Sequence, residues 1–336
     1  MTAGRGADER DPSHRSDLRA RIAALIGQAG YGPDDAVVAG VQVGDAPATC
    51  VARGRTAEGI PVAAGTVVHT ASLSKQVTSA CVALLVRQGR LDVAADLARW
   101  MPELPTWAGG IRVRHLVHHT SGLPDVLDFH ELERRGRDRT TGDVLRSLLE
   151  VDHLDSAPGT TFRYCNAGYV CLARVVERAG GRALADFADE QVFRPLRMLD
   201  SRFWSGPGRH PPGAAPTDPR SPAALSTGDG GLWSTAADLL RWNEALLGDE
   251  LGISDLLHEP GRLEDGTPLD YAWGTGVRTR GGHLVHRHGG LWAGVSAQLL
   301  RSPGTRRSAV VLALDHDEDR TTALADALLD QHVLRA

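Results

Sequence analysis

Apolar positions recur in two rhythms along this chain, and the rhythm changes twice. Near the start, Leu18, Ile22, Leu25 and Ile26 repeat at three- and four-residue spacing and Gly30 follows, which predicts an amphipathic helix from about Ser16. The stretches AVVAGVQVGD and ATCVARGR come next. Both are short and β-branched, and a turn separates them, so they predict antiparallel strands. A helical stripe of Val77, Cys81, Leu84 and Leu85 then runs from Ser72 to near Gly89. From about 90 to 240, helical segments alternate with Pro/Gly-rich stretches such as SGPGRHPPGAAPTDPRSP. Strand character returns in GGHLVHRHGG, GVSAQLLR and RSAVVLALD, the last two joined by the turn SPGTR. A final helix carries Leu324, Leu328, Leu329 and Val333 on its apolar side.

Strands at both ends with helices between them predict a mixed α/β fold. One antiparallel sheet is completed by the two ends of the chain, flanked by N- and C-terminal helices, with a mostly helical lobe inserted. The expected boundaries are a disordered tail over 1–15 and a single domain over 16–336. Within it, the α/β part covers about 16–75 and 225–336 and the lobe about 76–224. No internal repeat is visible.

The bulk numbers narrow the class. The chain has 336 residues, 42% of them hydrophobic and 24% charged, with a net charge of -5. That excludes a disordered or nucleic-acid-coating chain. Arginine-rich stretches such as ERRGRDR are interleaved with acids and read as a solvated surface. No apolar run approaches the length of a membrane span. The N-terminus lacks the basic start, apolar block and cleavage site of a signal peptide, so a cytoplasmic location is expected. Cys50, Cys81, Cys165 and Cys171 show no metal or disulfide spacing and read as buried packing residues.

One position stands apart. Every strong cation is arginine except Lys75, the only lysine, which lies three residues after Ser72 in HTASLSKQVTSACVALL. If Ser72 starts a helix, the two lie about 60° apart on one face, while Ser74 is turned about 100° from the lysine. A serine hydroxyl is a weak nucleophile until something takes its proton. A lysine with a depressed pKa can do so and an arginine cannot. A helix N-terminus would also favour developing negative charge, with the Ser72 N–H as one donor. A capping serine followed by an exposed lysine has the same spacing.

Two further stretches bear on the choice: FRYCNAGYV, with Tyr164 and Asn166, and VHRHGGLWAG, with His288, Gly289 and Gly290 on a predicted strand. Ser-x-x-Lys, Tyr-x-Asn and His-x-Gly in this order resemble the three signatures of the penicillin-recognising serine hydrolases. The branch most similar is that of class C β-lactamases, esterases and D-Ala peptidases. RQGRLDVAADLARWMPEL, VRHLVHHTSGLPD and GDGGLWSTAADLLRW resemble further stretches of that family, so the likeness covers roughly 20 to 335.

The resemblance implies a β-lactamase/transpeptidase-like fold and an acyl-enzyme on Ser72. Lys75 and Tyr164 would share the proton, with the phenol pulled toward neutrality by Lys75 and His288. Asn166 would hold Lys75 or a substrate carbonyl. His288, Gly289, Gly290 and Leu291 would line the substrate, with the Leu291 N–H as second oxyanion donor. His288 stands where many relatives carry lysine, which weakens the expected grip on a substrate carboxylate. His119, Thr120 and Ser121 read as turn chemistry. Trp233 and Trp292 would line a pocket or pack in the core, and Cys165 would pack, with redox sensitivity as the alternative.

The expected function is an intracellular esterase or amidase of a small ester or amide substrate. Behind it stand a transacylase, a D-amino-acid peptidase and a β-lactamase. No cofactor is implied; a monomer is expected, with no nucleic-acid or membrane partner. From other classes, a metal hydrolase built on His286 and His288, with His283 nearby, and a non-catalytic binding protein remain open. No GxSxG elbow or P-loop occurs.

Overall fold

A computed structural model of the chain describes residues 12–127, 132 and 136–330. The first helix, α1 (Pro12–Gln28), starts four residues ahead of the expected boundary, so residues 12–15 are helical; residues 1–11 of the expected tail lie outside the described residues, as does Val333. Strands β1 (Val37–Val43) and β2 (Thr49–Arg53) follow, then the two-residue β3 (Val68–His69) and helix α2 (Ser74–Arg87). The lobe holds α3 (Leu97–Trp100), α4 (Val113–Val117), β4 (Arg139–Thr140), α5 (Thr141–Leu149), α6 (Asn166–Gly180), α7 (Leu184–Ala188) and β5 (Arg202–Phe203). The chain returns through β6 (Ala224–Leu225), β7 (Leu232–Ser234), α8 (Ala236–Leu247) and α9 (Ser254–His258). It ends with β8 (Gly276–Arg280), β9 (His283–Trp292), β10 (Val295–Ser302), β11 (Arg307–Ala313) and α10 (Glu318–Leu329).

The main sheet has the order β2-β1-β11-β10-β9-β8, and every pairing in it is antiparallel. The β1–β11 pair joins the two ends of the chain, as the strand pattern predicts. Because side chains alternate, each central strand serves two cores. Val37, Ala39 and Val41 with Ala309, Val311 and Ala313 meet Ile22, Ile26, Leu324 and Leu328 of the two terminal helices. Val38, Val310, Leu312 and Leu299 face the other way, toward α2 and α8. Burial on both faces explains why these strands read as near-continuous apolar runs. Each buried valine, leucine or isoleucine among them contributes about 1.5–3 kcal/mol.

Within the main sheet, β8 is the strand the apolar pattern does not reveal; the two- and three-residue strands β3 to β7 are too short to carry a pattern. It is a half-exposed edge strand, GVRTR, with no buried face to impose alternation. It pairs β9 only as far as Arg287. From His288 onward β9 has no β8 partner, and this part packs against the turn that precedes α2. α2 itself is buried continuously from Ser74 to Leu85, packed against α6, α7 and α9. A helix buried all round fixes its side chains firmly. Two of its polar members reach distant partners: Thr78 Oγ1 donates to the Gly228 carbonyl at 2.8 Å, and Ser79 Oγ lies 3.2 Å from Tyr169 Oη. Among the described residues no helix is long and apolar enough to cross a membrane.

Candidate active site

Ser72 does not open α2 itself. It sits in a single 3₁₀ turn, Ala71–Leu73, that runs into the helix at Ser74. Ala71, immediately before it, is held at φ +47°, a left-handed conformation unusual for a residue with a Cβ. Such strain persists only where the surroundings impose it. Here Ser74 supplies the constraint: its Oγ donates to the Ala71 carbonyl at 2.6 Å and accepts the Leu232 N–H of β7 at 3.1 Å. Ser74 is therefore structural, and the half-buried Ser72 is the hydroxyl presented to the cavity.

Lys75 is fully buried. Its Nζ lies 3.0 Å from Ser72 Oγ, 2.8 Å from Asn166 Oδ1 and 2.9 Å from the Asp229 carbonyl. It also stands 4.8 Å from the centre of the Tyr164 ring. Burial drives its pKa down to about 8, against the opposing pull of Asp229 and Asp125. At pH 7 about a tenth of the molecules then carry the neutral amine. In that form two hydrogens serve Asn166 and Asp229, and the lone pair is left for the Ser72 hydroxyl.

Asn166 cannot turn its amide around. Its Nδ2 donates to Asp125 Oδ2 at 2.9 Å, which forces Oδ1 toward the lysine. Asp125 also accepts the Asn166 and Ala167 N–H groups at 2.9 and 3.2 Å, capping α6 from a distant loop. Behind Lys75, Asp229 forms a buried ion pair with Arg139, and Ser226 Oγ bonds both partners. Arg139 Nε donates in turn to the Leu127 carbonyl at 3.1 Å. Sequence reasoning gives no sign of Asp125, Asp229 or Arg139, since an acid in a Gly-rich loop looks like turn chemistry.

The expectation for Tyr164 and His288 needs correction. Burial raises the Tyr164 phenol above its ordinary range, with the Ser72 hydroxyl opposing, so no field pulls it toward neutrality. The residue keeps 38% of its surface exposed, on the side that faces the cavity. His288 supplies no charge: burial, then Lys75, lower its pKa to about 3. Its tautomer follows from a chain of hydrogen bonds. The Cys165 N–H donates to His119 Nδ1 at 3.1 Å, so neutral His119 carries its proton on Nε2 and donates to Tyr271 Oη at 3.2 Å. Tyr271 then donates to His288 Nε2 at 3.1 Å, and His288 Nδ1–H donates to the Gly289 carbonyl at 2.6 Å. Both His288 nitrogens are thus committed within the protein. His119 does occupy a turn, at φ +56°, yet its ring also stacks on Tyr164 with centroids 4.3 Å apart.

Gly290 is where β9 touches the serine turn. A Cβ there would meet the Thr70 carbonyl oxygen at 2.3 Å and the Ser72 nitrogen at 3.3 Å. Gly290→Ala is expected to push β9 off the turn and cost about 2 kcal/mol in urea unfolding. An unchanged unfolding midpoint would show that the contact is looser than described.

Ser72, Tyr164, Asn166, His288, Gly289 and Leu291 line one cavity of about 530 Å³; Lys75 sits behind its wall. Trp292 lines it, whereas Trp233 is buried and stacks on His69. Cys165 is buried with its thiol raised to about 12, so the packing reading fits it. His286 sets its ring against that of His258, with centroids 4.3 Å apart. Among the described residues no three His, Cys, Asp or Glu side chains converge as metal ligands.

Comparison with known proteins identifies the family of the chain. The chain is 28% identical over 302 residues to penicillin-binding protein 4* of Bacillus subtilis, covering 82% of this chain and 66% of that protein. It is 31% identical over 283 residues to the D-aminopeptidase of Cereibacter sphaeroides, covering 80% of this chain and 54% of that one. It therefore spans between about half and two thirds of these relatives' length. The solved penicillin-binding protein of Bacillus halodurans shares the fold, with a TM-score of 0.78 at 24% identity over 91% of this chain and 99% of that one. The Beta-lactamase family model matches residues 33–333, and the chain belongs to that family of serine hydrolases.

Proposed function

We propose that the chain hydrolyses esters or amides of small acyl compounds through an acyl-enzyme on Ser72. One observation carries this reading: the buried amine of Lys75, with its pKa lowered to about 8, lies 3.0 Å from Ser72 Oγ while its other two hydrogens are engaged elsewhere. In the first step the Ser72 proton passes to Nζ and Oγ bonds to the substrate carbonyl carbon. The charge that develops on the carbonyl oxygen faces the Ser72 and Leu291 N–H groups, each such donor contributing about 2.7–4 kcal/mol in comparable sites.

Tyr164 keeps its proton at rest, so it serves as a relay: it gives a hydrogen to the leaving group and recovers one from the Lys75 ammonium. Water then discharges the ester on Ser72 by the reverse proton path. Support for an amide as well as an ester comes from the D-aminopeptidase relative.

The test is intact-protein mass after brief exposure to an activated short-chain ester. The wild type should gain one acyl group and Ser72→Ala none, with or without chelator. Turnover that survives in Ser72→Ala would sink the proposal.

A further inference from the structure

The walls of the cavity differ in which polar groups are already spent. Asp229 is paired with Arg139, and Asp125 is occupied by three N–H donors of Asn166 and Ala167. His288 has both nitrogens engaged. Two lining side chains are different. Glu318 is an exposed residue at the cavity edge, and its carboxylate makes no hydrogen bond or ion pair with any described residue. It lies over Gly289 on β9, its Oε1 3.0 Å from where a Cβ on that glycine would be. Arg287, on the same side of the sheet, is turned to Gln298, Thr322 and Asp326. His69 is 2% exposed, and neither of its ring nitrogens has a hydrogen-bond partner. A buried polar group left unmatched by the protein calls for a ligand partner.

Resting on the acyl-transfer reading of the same cavity, we propose that it selects substrates bearing a protonated amine. Glu318 is the counter-charge, and His69 is a neutral hydrogen-bonding partner for the substrate. Arg139, the guanidinium that lines the cavity, has its charge met by Asp229 within the protein, although its buried Nη2 has no hydrogen-bond partner. Gly289 fits the assignment, because any side chain there would displace the carboxylate from the cavity edge.

The test is calorimetric binding to Ser72→Ala protein, which reads recognition without the covalent step. The probes are phenylalaninamide, with a free amine, and N-acetylphenylalaninamide. For an amine on the leaving side, they are the aminoethyl amide of acetic acid and its N-acetyl counterpart. In at least one pair the amine should bind about tenfold more tightly, an effect expected of a cation meeting an unpaired carboxylate. Adding Glu318→Gln should bring that ratio to about one, whereas Glu318→Asp should retain part of it. His69→Phe should weaken the preferred amine by about threefold. Equal affinities within both pairs, a ratio indifferent to Glu318→Gln, or no binding of any amine at millimolar concentration overturns the proposal. Failure of Ser72 to acylate would leave these ratios untouched, so the two readings fail separately.

Discussion

Lys75→Met is expected to lower kcat/KM for an activated ester by about 10²–10⁴-fold, the range attributable to a positioned general base. Methionine matches the length of the aliphatic stem but cannot accept a proton. Lys75→Arg should lose as much, because the guanidinium keeps its proton at any working pH. Arginine is also larger than its buried site, so circular dichroism must show both variants folded before their rates are compared. The pH profile gives an independent check. Neutral Lys75 is the active form, so wild-type kcat/KM should rise about tenfold per unit below pH 8 and level off above it.

Stability should respond through the same group. Its folded pKa lies below that of the unfolded chain, so folding releases a proton between the two values, and stability should rise with pH from about 8 toward the ordinary lysine range. A Lys75→Met rate within tenfold of wild type, or an acid limb centred near pH 6, would assign the base to another group.

Ser72, Lys75, Tyr164 and Asn166 were legible because each lies in a short stretch whose spacing carries meaning, and the structure brings all four together, with Lys75 hydrogen-bonded to Ser72 and Asn166 and 4.8 Å from the Tyr164 ring. The central strands were legible because burial on both faces leaves an apolar signature. His288 was legible as a cavity residue but not as a neutral one. Its state depends on Tyr271 and on His119, and no local spacing links these residues. Asp125 and Asp229 were hidden for a similar reason. Each holds another residue's polar group, and the partners are distant in sequence. β8 was missed because an exposed edge strand has no buried face to write into the sequence.

Asp229→Ala tests the hidden half of the site and should produce the largest loss of stability. The substitution strands the Arg139 guanidinium, whose side chain is 3% exposed, without its counter-charge. Breaking a buried pair from one side costs about 3–5 kcal/mol, far more than the pair itself contributes when both charges are replaced. Urea unfolding should show that loss in Asp229→Ala, and Asp229→Leu combined with Arg139→Met should recover most of it. The same change should act on the lysine in the opposite sense. Lys75 bonds the Asp229 backbone carbonyl, which survives the substitution, but loses the carboxylate that holds its pKa up. The acid limb of the rate profile should therefore move below about 8 while the protein becomes less stable. A limb that moved upward would mean that Asp229 does not act on Lys75 through its charge. A cost under 1 kcal/mol would mean that Arg139 finds another partner, and the ion pair would then have no part in fixing the site.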